Sequence, residues 1–186
     1  MKKTGGVSVL VAVALAVTAA IAQEAQVTEF EDLSIEGENH IGVSGTNINR
    51  TAASGAVAGM GFAHLLLPGE TVEYNAVIES PGAYVLRVRY SNDDAGPGDD
   101  VLVKVNGKRK ARFHAVNTRG PKTKLGDGWN VFTNSPDMAI GQLEQGENTV
   151  ALILENSDGY GVEIDRLDFF FKADDMQTPA KKGDAE

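Results

Sequence analysis

An all-β sandwich of two antiparallel sheets is the fold class this sequence predicts, on three observations. Apolar residues recur with a period of two in short runs, the segments between the runs are rich in turn residues, and no long stretch carries apolar residues at helical spacing. Side chains on a strand alternate faces, so a period of two marks a strand with one buried face.

The chain opens on "MKKTGGVSVLVAVALAVTAAIA", with two lysines, a small-residue-rich apolar stretch from Val7, and Ala20-Ile21-Ala22 before Gln23. That pattern reads as a secretory signal peptide over residues 1–22. The apolar stretch is shorter than the roughly 20 residues that span a bilayer, which argues against an anchor. Trimming there removes Lys2 and Lys3 and no acid, so the net charge of −9 becomes −11. There is no cysteine, which excludes a lipid-anchored lipoprotein, a disulfide framework, a thiolate zinc site and a cysteine nucleophile. The expectation is an exported soluble monomer, secreted or periplasmic, without membrane insertion.

Residues 37–61, rich in glycine and small polar residues, are the least regular part and read as a long loop on a rigid scaffold, a place where function often sits. Beyond them, Tyr84, Leu86, Val88 and Tyr90 share a face, as do Val101, Val103 and Val105, and Val150, Leu152 and Leu154. "LPGE", "ESPGA", "NDDAGPGDD", "VNGK", "EQGEN" and "NSDGYG" supply the turns. No internal repeat is present. In "GVEIDRLDFFF" the alternation changes parity, from Val162 and Ile164 to Leu167, Phe169 and Phe171, so Asp165 and Arg166 mark a bulge or a strand that changes role midway. The sandwich is expected over residues 23–173 and a charged mobile tail over 174–186.

In their order these segments resemble the carbohydrate-binding modules of families 6 and 35. "TEFED", with Glu29 and Glu31, is similar to the family's opening strand, and "AYVLRVRYSN" to its Y-x-L-x-x-R-Y-x-N block. "VLVKVNGK", Trp129, "LEQGENTVALIL" and "VEIDRLDF" complete the likeness over about residues 27–171. The resemblance implies a galactose-binding-like jelly-roll β-sandwich, a non-catalytic role and a polysaccharide or oligosaccharide partner. It also implies a structural calcium ion held by Glu29, Glu31 and Asp165, a cation that takes oxygen ligands. The alternative for these acids is that the glutamates face solvent while Asp165 pairs with Arg166 or another cation.

For the sugar, the resemblance points to Trp129 in "LGDGWNVF" and Tyr160 in "NSDGYG", with Glu163 where many members carry asparagine and Asn92 in the R-Y-x-N match. An aromatic ring offers the flat apolar surface that a pyranose face requires. Core packing for Trp129, a turn contact for Tyr160 and a turn role for Asn92 are the competing assignments. His40, His64 and His114 lack metal-ligand spacing and read as surface or partly buried residues. Residues 101–126 hold eight lysines and arginines and no acid, a stretch suited either to an anionic polysaccharide or to a solvated hairpin face. Nucleic acid is not expected, because aromatic-basic motifs are missing. Two rivals remain: a small jelly-roll lyase or hydrolase, although no catalytic carboxylate pair is evident, and an adhesion domain without sugar affinity.

Overall fold

The computed structural model describes residues 33–45, 48–51, 61–93, 96, 98–120 and 124–172. Residues 1–22, expected as a signal peptide, residues 174–186, expected as a mobile tail, and Glu29 and Glu31 lie outside these. In chain order the strands are β1 (Leu33–Glu36), β2 (Gly42–Ser44), β3 (Ile48–Thr51), β4 (Gly61–Leu65), β5 (Thr71–Ile78), β6 (Gly82–Ser91), β7 (Asp99–Val105), β8 (Lys108–Ala115), β9 (Thr133–Asn134), β10 (Met138–Leu143), β11 (Gly146–Asn156) and β12 (Val162–Lys172). One sheet runs β10-β6-β12-β4-β3, with β1 also on β12 and β9 also on β6; the other runs β2-β5-β11-β7-β8. All their pairings are antiparallel.

The core lies between the two sheets and is filled by the residues whose alternation marked the strands. Leu86, Val88 and Tyr90 of β6 meet Val101 and Val103 of β7 and Val150, Leu152 and Leu154 of β11, all of them buried. Removing these side chains from water is the main favourable term in folding. Residues 37–61 are less loop-like than their composition suggests. They contain β2 and β3, edge strands of three and four residues, too short to display a period.

β12 holds both answers to the parity change. Along one edge it pairs with β6, and the register slips by one residue between Ile164 and Arg166, leaving Asp165 as the bulged residue. Along its other edge it pairs with β4 as far as Ile164 and with β1 from Arg166 onward. Val162 and Ile164 before the bulge, and Leu167 and Phe169 after it, are all fully buried.

The junction between β1 and β12 is closed at Gly37, whose N–H donates to the Asp165 carbonyl at 2.7 Å. A Cβ on Gly37 would fall 2.0 Å from the Ile164 carbonyl oxygen, so backbone would have to move to admit it. Gly37→Ala is expected to cost about 2–3 kcal/mol, read as a lower denaturation midpoint. An unchanged midpoint would show that the junction tolerates separation.

Candidate ligand-binding rim

One end of the sandwich gathers the start of β12, the end of β6 and the segments 116–120, 124–131 and 156–161. His64 on β4 stands opposite Glu163 on β12, which in turn stands opposite Ser91 on β6. Their strand neighbours Ala63, Leu65, Val162 and Ile164 fill the core, so these three project from the other face. Each is nonetheless buried, and the Ser91 hydroxyl donates to Glu163 at 3.1 Å. His64 Nε2 lies 2.9 Å from the Tyr160 carbonyl oxygen; a carbonyl only accepts, so this nitrogen carries the proton.

Trp129 sits over that histidine. It belongs to a single 3-10 turn, Asp127–Asn130, and its ring meets His64 edge-on with centroids 5.5 Å apart. The ring is half-buried, whereas Tyr160 is exposed. Three of the residues expected to contact sugar, Trp129, Tyr160 and Glu163, are thus grouped around His64, a residue the sequence reading left at the surface or partly buried.

Asn92, the fourth, is wholly buried beneath the rim. Its amide donates to the Ala115 carbonyl at 2.8 Å, its N–H donates to the Thr118 hydroxyl, and its carbonyl accepts from the Thr118 N–H. These bonds tie the end of β6 to the end of β8. Beside it, the buried Asp93 carboxylate accepts N–H groups from Gly126 and Gly128 and lies 3.4 Å from Arg119 Nε. Gly128 is pressed so close that a Cβ there would be 2.9 Å from Asp93. Asp93 therefore anchors the turn that carries Trp129; nothing in its local sequence distinguishes it from the other aspartates of "NDDAGPGDD".

Asp165 forms a buried ion pair with Arg89 of β6 rather than with its neighbour Arg166, which reaches Asp168 at 2.8 Å. The Arg89 guanidinium also lies 4.8 Å from the centre of the Phe132 ring, which packs on Phe62. Among the described residues no three Asp, Glu or His side chains converge as a metal site. A second Glu-x-Glu, Glu36 and Glu38, flanks Gly37 at the β1–β12 junction. Glu38 Oε2 is buried without a hydrogen-bond partner among the described residues. That orphaned oxygen fits a cation, and the same spacing at Glu29 and Glu31 masked this pair in the sequence. Burial, then the Glu38 charge, pushes the Tyr74 phenol well above its usual range.

No protein-family model matches the chain, and no curated protein matches it. Among solved structures, a family 35 carbohydrate-binding module from Clostridium thermocellum is 22% identical, with a TM-score of 0.61 over 77% of this chain and 100% of that one. The C-terminal family 6 module of a marine laminarinase from Zobellia galactanivorans is 17% identical, with a TM-score of 0.56 over 75% of this chain and 99% of that one. A family 6 module from Cellvibrio mixtus lichenase 5A, solved with cellotriose, is 16% identical, with a TM-score of 0.57 over 75% of this chain and 97% of that one. The chain has a jelly-roll β-sandwich fold. That fold is the one shared by the family 6 and family 35 carbohydrate-binding modules.

Because Trp129 is the only tryptophan, its fluorescence reports the rim. Asp93→Ala is expected to shift the emission to the red and to raise acrylamide quenching, while β-sheet circular dichroism is retained; unchanged emission would remove Asp93 from this role. A second expectation concerns Asp99, wholly buried at the start of β7, which accepts the Asp158 N–H at 3.1 Å. Burial, reinforced by the Asp158 charge and opposed by its hydrogen bonds, raises its pKa from 3.8 to about 6. The folded state thus holds a proton that the unfolded chain has released, and its stability falls as pH climbs between those values. Asp99→Asn should melt higher than the parent at pH 7.5 and close to it at pH 4; equal melting at both would contradict the shift.

Proposed function

We propose that this chain is a secreted, non-catalytic carbohydrate-binding module whose sugar site is the rim around His64. The observation that carries the reading is the placement of a half-exposed indole and an exposed phenol on two loops joined through one buried histidine. Trp129 and Tyr160 supply the stacking surfaces. Glu163 and Asn92, buried below, act as supports, and His64 fixes the Tyr160 loop through its carbonyl. Cellotriose bound to the Cellvibrio module is consistent with an oligosaccharide partner. A binding rather than catalytic role is supported by the likeness to stand-alone carbohydrate-binding modules, which the chain covers over nearly their whole length.

A structural calcium ion belongs to the same proposal. Asp165 is engaged by Arg89, so Glu36 and Glu38 are the better-supported carboxylates, with Glu29 and Glu31 the alternative pair. Calcium would supply a hard cation at the junction of the first and last strands.

Affinity electrophoresis against a panel of neutral and acidic glycans tests the site. Trp129→Ala is expected to weaken binding by about 1–3 kcal/mol and Tyr160→Ala by less; retention unchanged in both would end the rim proposal. For the metal, calcium at about 100 times its Kd should raise the melting temperature by about 5–10 °C over chelator-treated protein. Glu36→Gln with Glu38→Gln should abolish that rise, and Glu29→Gln with Glu31→Gln should leave it. The reverse result restores the first assignment, and no calcium effect on the parent removes the ion.

A further inference from the structure

The loop that carries Tyr160 is fastened to β7 by a buried carboxyl group. Asp158, Gly159 and Tyr160 are all exposed, so burial of apolar surface does not hold them in place. Hydrogen bonds do so instead. The Tyr160 N–H donates to Asp158 Oδ1 at 3.0 Å, the Gly159 N–H to the Ser157 hydroxyl at 3.0 Å, and the Gly96 N–H to Asp158 Oδ2 at 3.2 Å. Three more bonds join the loop to the body of the sandwich: His64 to the Tyr160 carbonyl, the Ser157 hydroxyl to the Leu66 carbonyl, and the Asp158 N–H to Asp99 Oδ1 at the start of β7. Gly159 and Gly161 flank Tyr160 at φ of 98° and 77°, where glycine leaves the backbone free to turn once those bonds loosen.

Of these anchors, Asp99 is the one whose charge state matters. It has no solvent exposure, and its second oxygen, Oδ2, is buried with no hydrogen-bond partner among the described residues. The neighbouring Ser157 hydroxyl has one proton, and that proton goes to Leu66 at 3.1 Å. The charges around Asp99 do not compensate for an anion there. On the loop, Asp158 is a second carboxylate; on β8, His114 is bonded to Asp100 at 3.1 Å. On β7, Asp100 is shared by His114 and Arg112, and on β11, Glu155 is shared by Arg112 and Arg109. Burial first, then the Asp158 charge, therefore favour the protonated form of Asp99 and lift its pKa to about 6 against the bond from the Asp158 N–H. Opening the loop returns the group to water and to its ordinary value of 3.8.

We propose that Asp99 is a positioning residue through which protons control the rim: protonated, it keeps the Tyr160 loop docked on β7 and the phenol in place; ionised, it lets the loop swing away, and sugar affinity falls. This control rests on the rim being the sugar site. Its sign follows from linkage. The docked loop holds a proton that the open loop has released, so docking weakens as pH rises, by at most about tenfold between pH 5 and pH 7.5. A purely structural Asp99 would alter stability and leave the pH profile of binding flat.

The test uses the full chain, with calcium held constant, and two readouts. In nuclear magnetic resonance without ligand, the Asp99 carboxyl carbon and the Asp158 and Tyr160 amides should titrate together with a midpoint of about 6, and Asp99→Asn should remove that midpoint from both amides. Amides that do not follow the Asp99 carboxyl in the parent, or a midpoint that survives Asp99→Asn as titration of His64 or His114 would leave it, overturn the proposal. Cellotriose and β-1,3-galactotriose are neutral probes whose own charge does not vary with pH. Binding of at least one should weaken about three- to tenfold from pH 5 to pH 7.5, while Asp99→Asn keeps the pH 5 affinity within about twofold across that range. A flat profile in the parent, or an equal decline in Asp99→Asn, overturns it as well. If neither sugar binds at pH 5, the rim fails as their site and the claim on affinity falls with it, whereas the amide titration still decides the hold of Asp99 on the loop.

Discussion

One extra residue in the last strand governs the rest of the molecule. A strand exposes alternate faces, so without Asp165 as a bulge, either Val162 and Ile164 or Leu167 and Phe169 would turn away from the core. The bulge lets both halves of β12 bury their apolar side chains. It also leaves a carboxylate with no solvent exposure, and a buried charge is tolerated only when paired. Arg89 meets that requirement from the neighbouring strand and then spreads its guanidinium beneath Phe132, just beyond the turn that carries Trp129. A backbone irregularity in the sheet is in this way connected, contact by contact, to the loops at its end.

The rim itself is built by the same logic. Its contact surface is aromatic and partly open, while the groups beneath it are polar, buried and hydrogen-bonded. Asp93, Asn92, Thr118 and His64 each hold a loop by its backbone. Each of these buried hydrogen bonds favours one loop arrangement, because breaking it leaves a donor or acceptor unpaired at a cost. Loops held in that manner lose little freedom when a ligand arrives.

Much of the fold was legible in the sequence, because alternation is a local property. The core positions of β6, β7 and β11, and the parity change in β12, could all be read from neighbours one and two residues away. β2 and β3 were not legible, being too short to show a period. The site was less readable, since it depends on register between distant strands. His64 becomes informative only when β4 places it opposite Glu163 and the 3-10 turn places Trp129 above it. Two Glu-x-Glu pairs have identical spacing, and only the pairing of β1 with β12 brings Glu36 and Glu38 next to the bulge. Arg166 was the nearest cation to Asp165 along the chain, yet residues two apart share a strand face, and Arg166 accordingly turns to Asp168.

The antiparallel pairing of the first and last strands has a further consequence. β12 starts beside Tyr160 and runs 11 residues, about 35 Å, to Lys172, and Leu33 pairs with Phe169 near its far end. The described residues therefore begin and end at one pole, while Trp129 and Tyr160 occupy the opposite one. A load applied at Leu33 or Lys172 would hold the sandwich by its base and leave the aromatic pole facing outward.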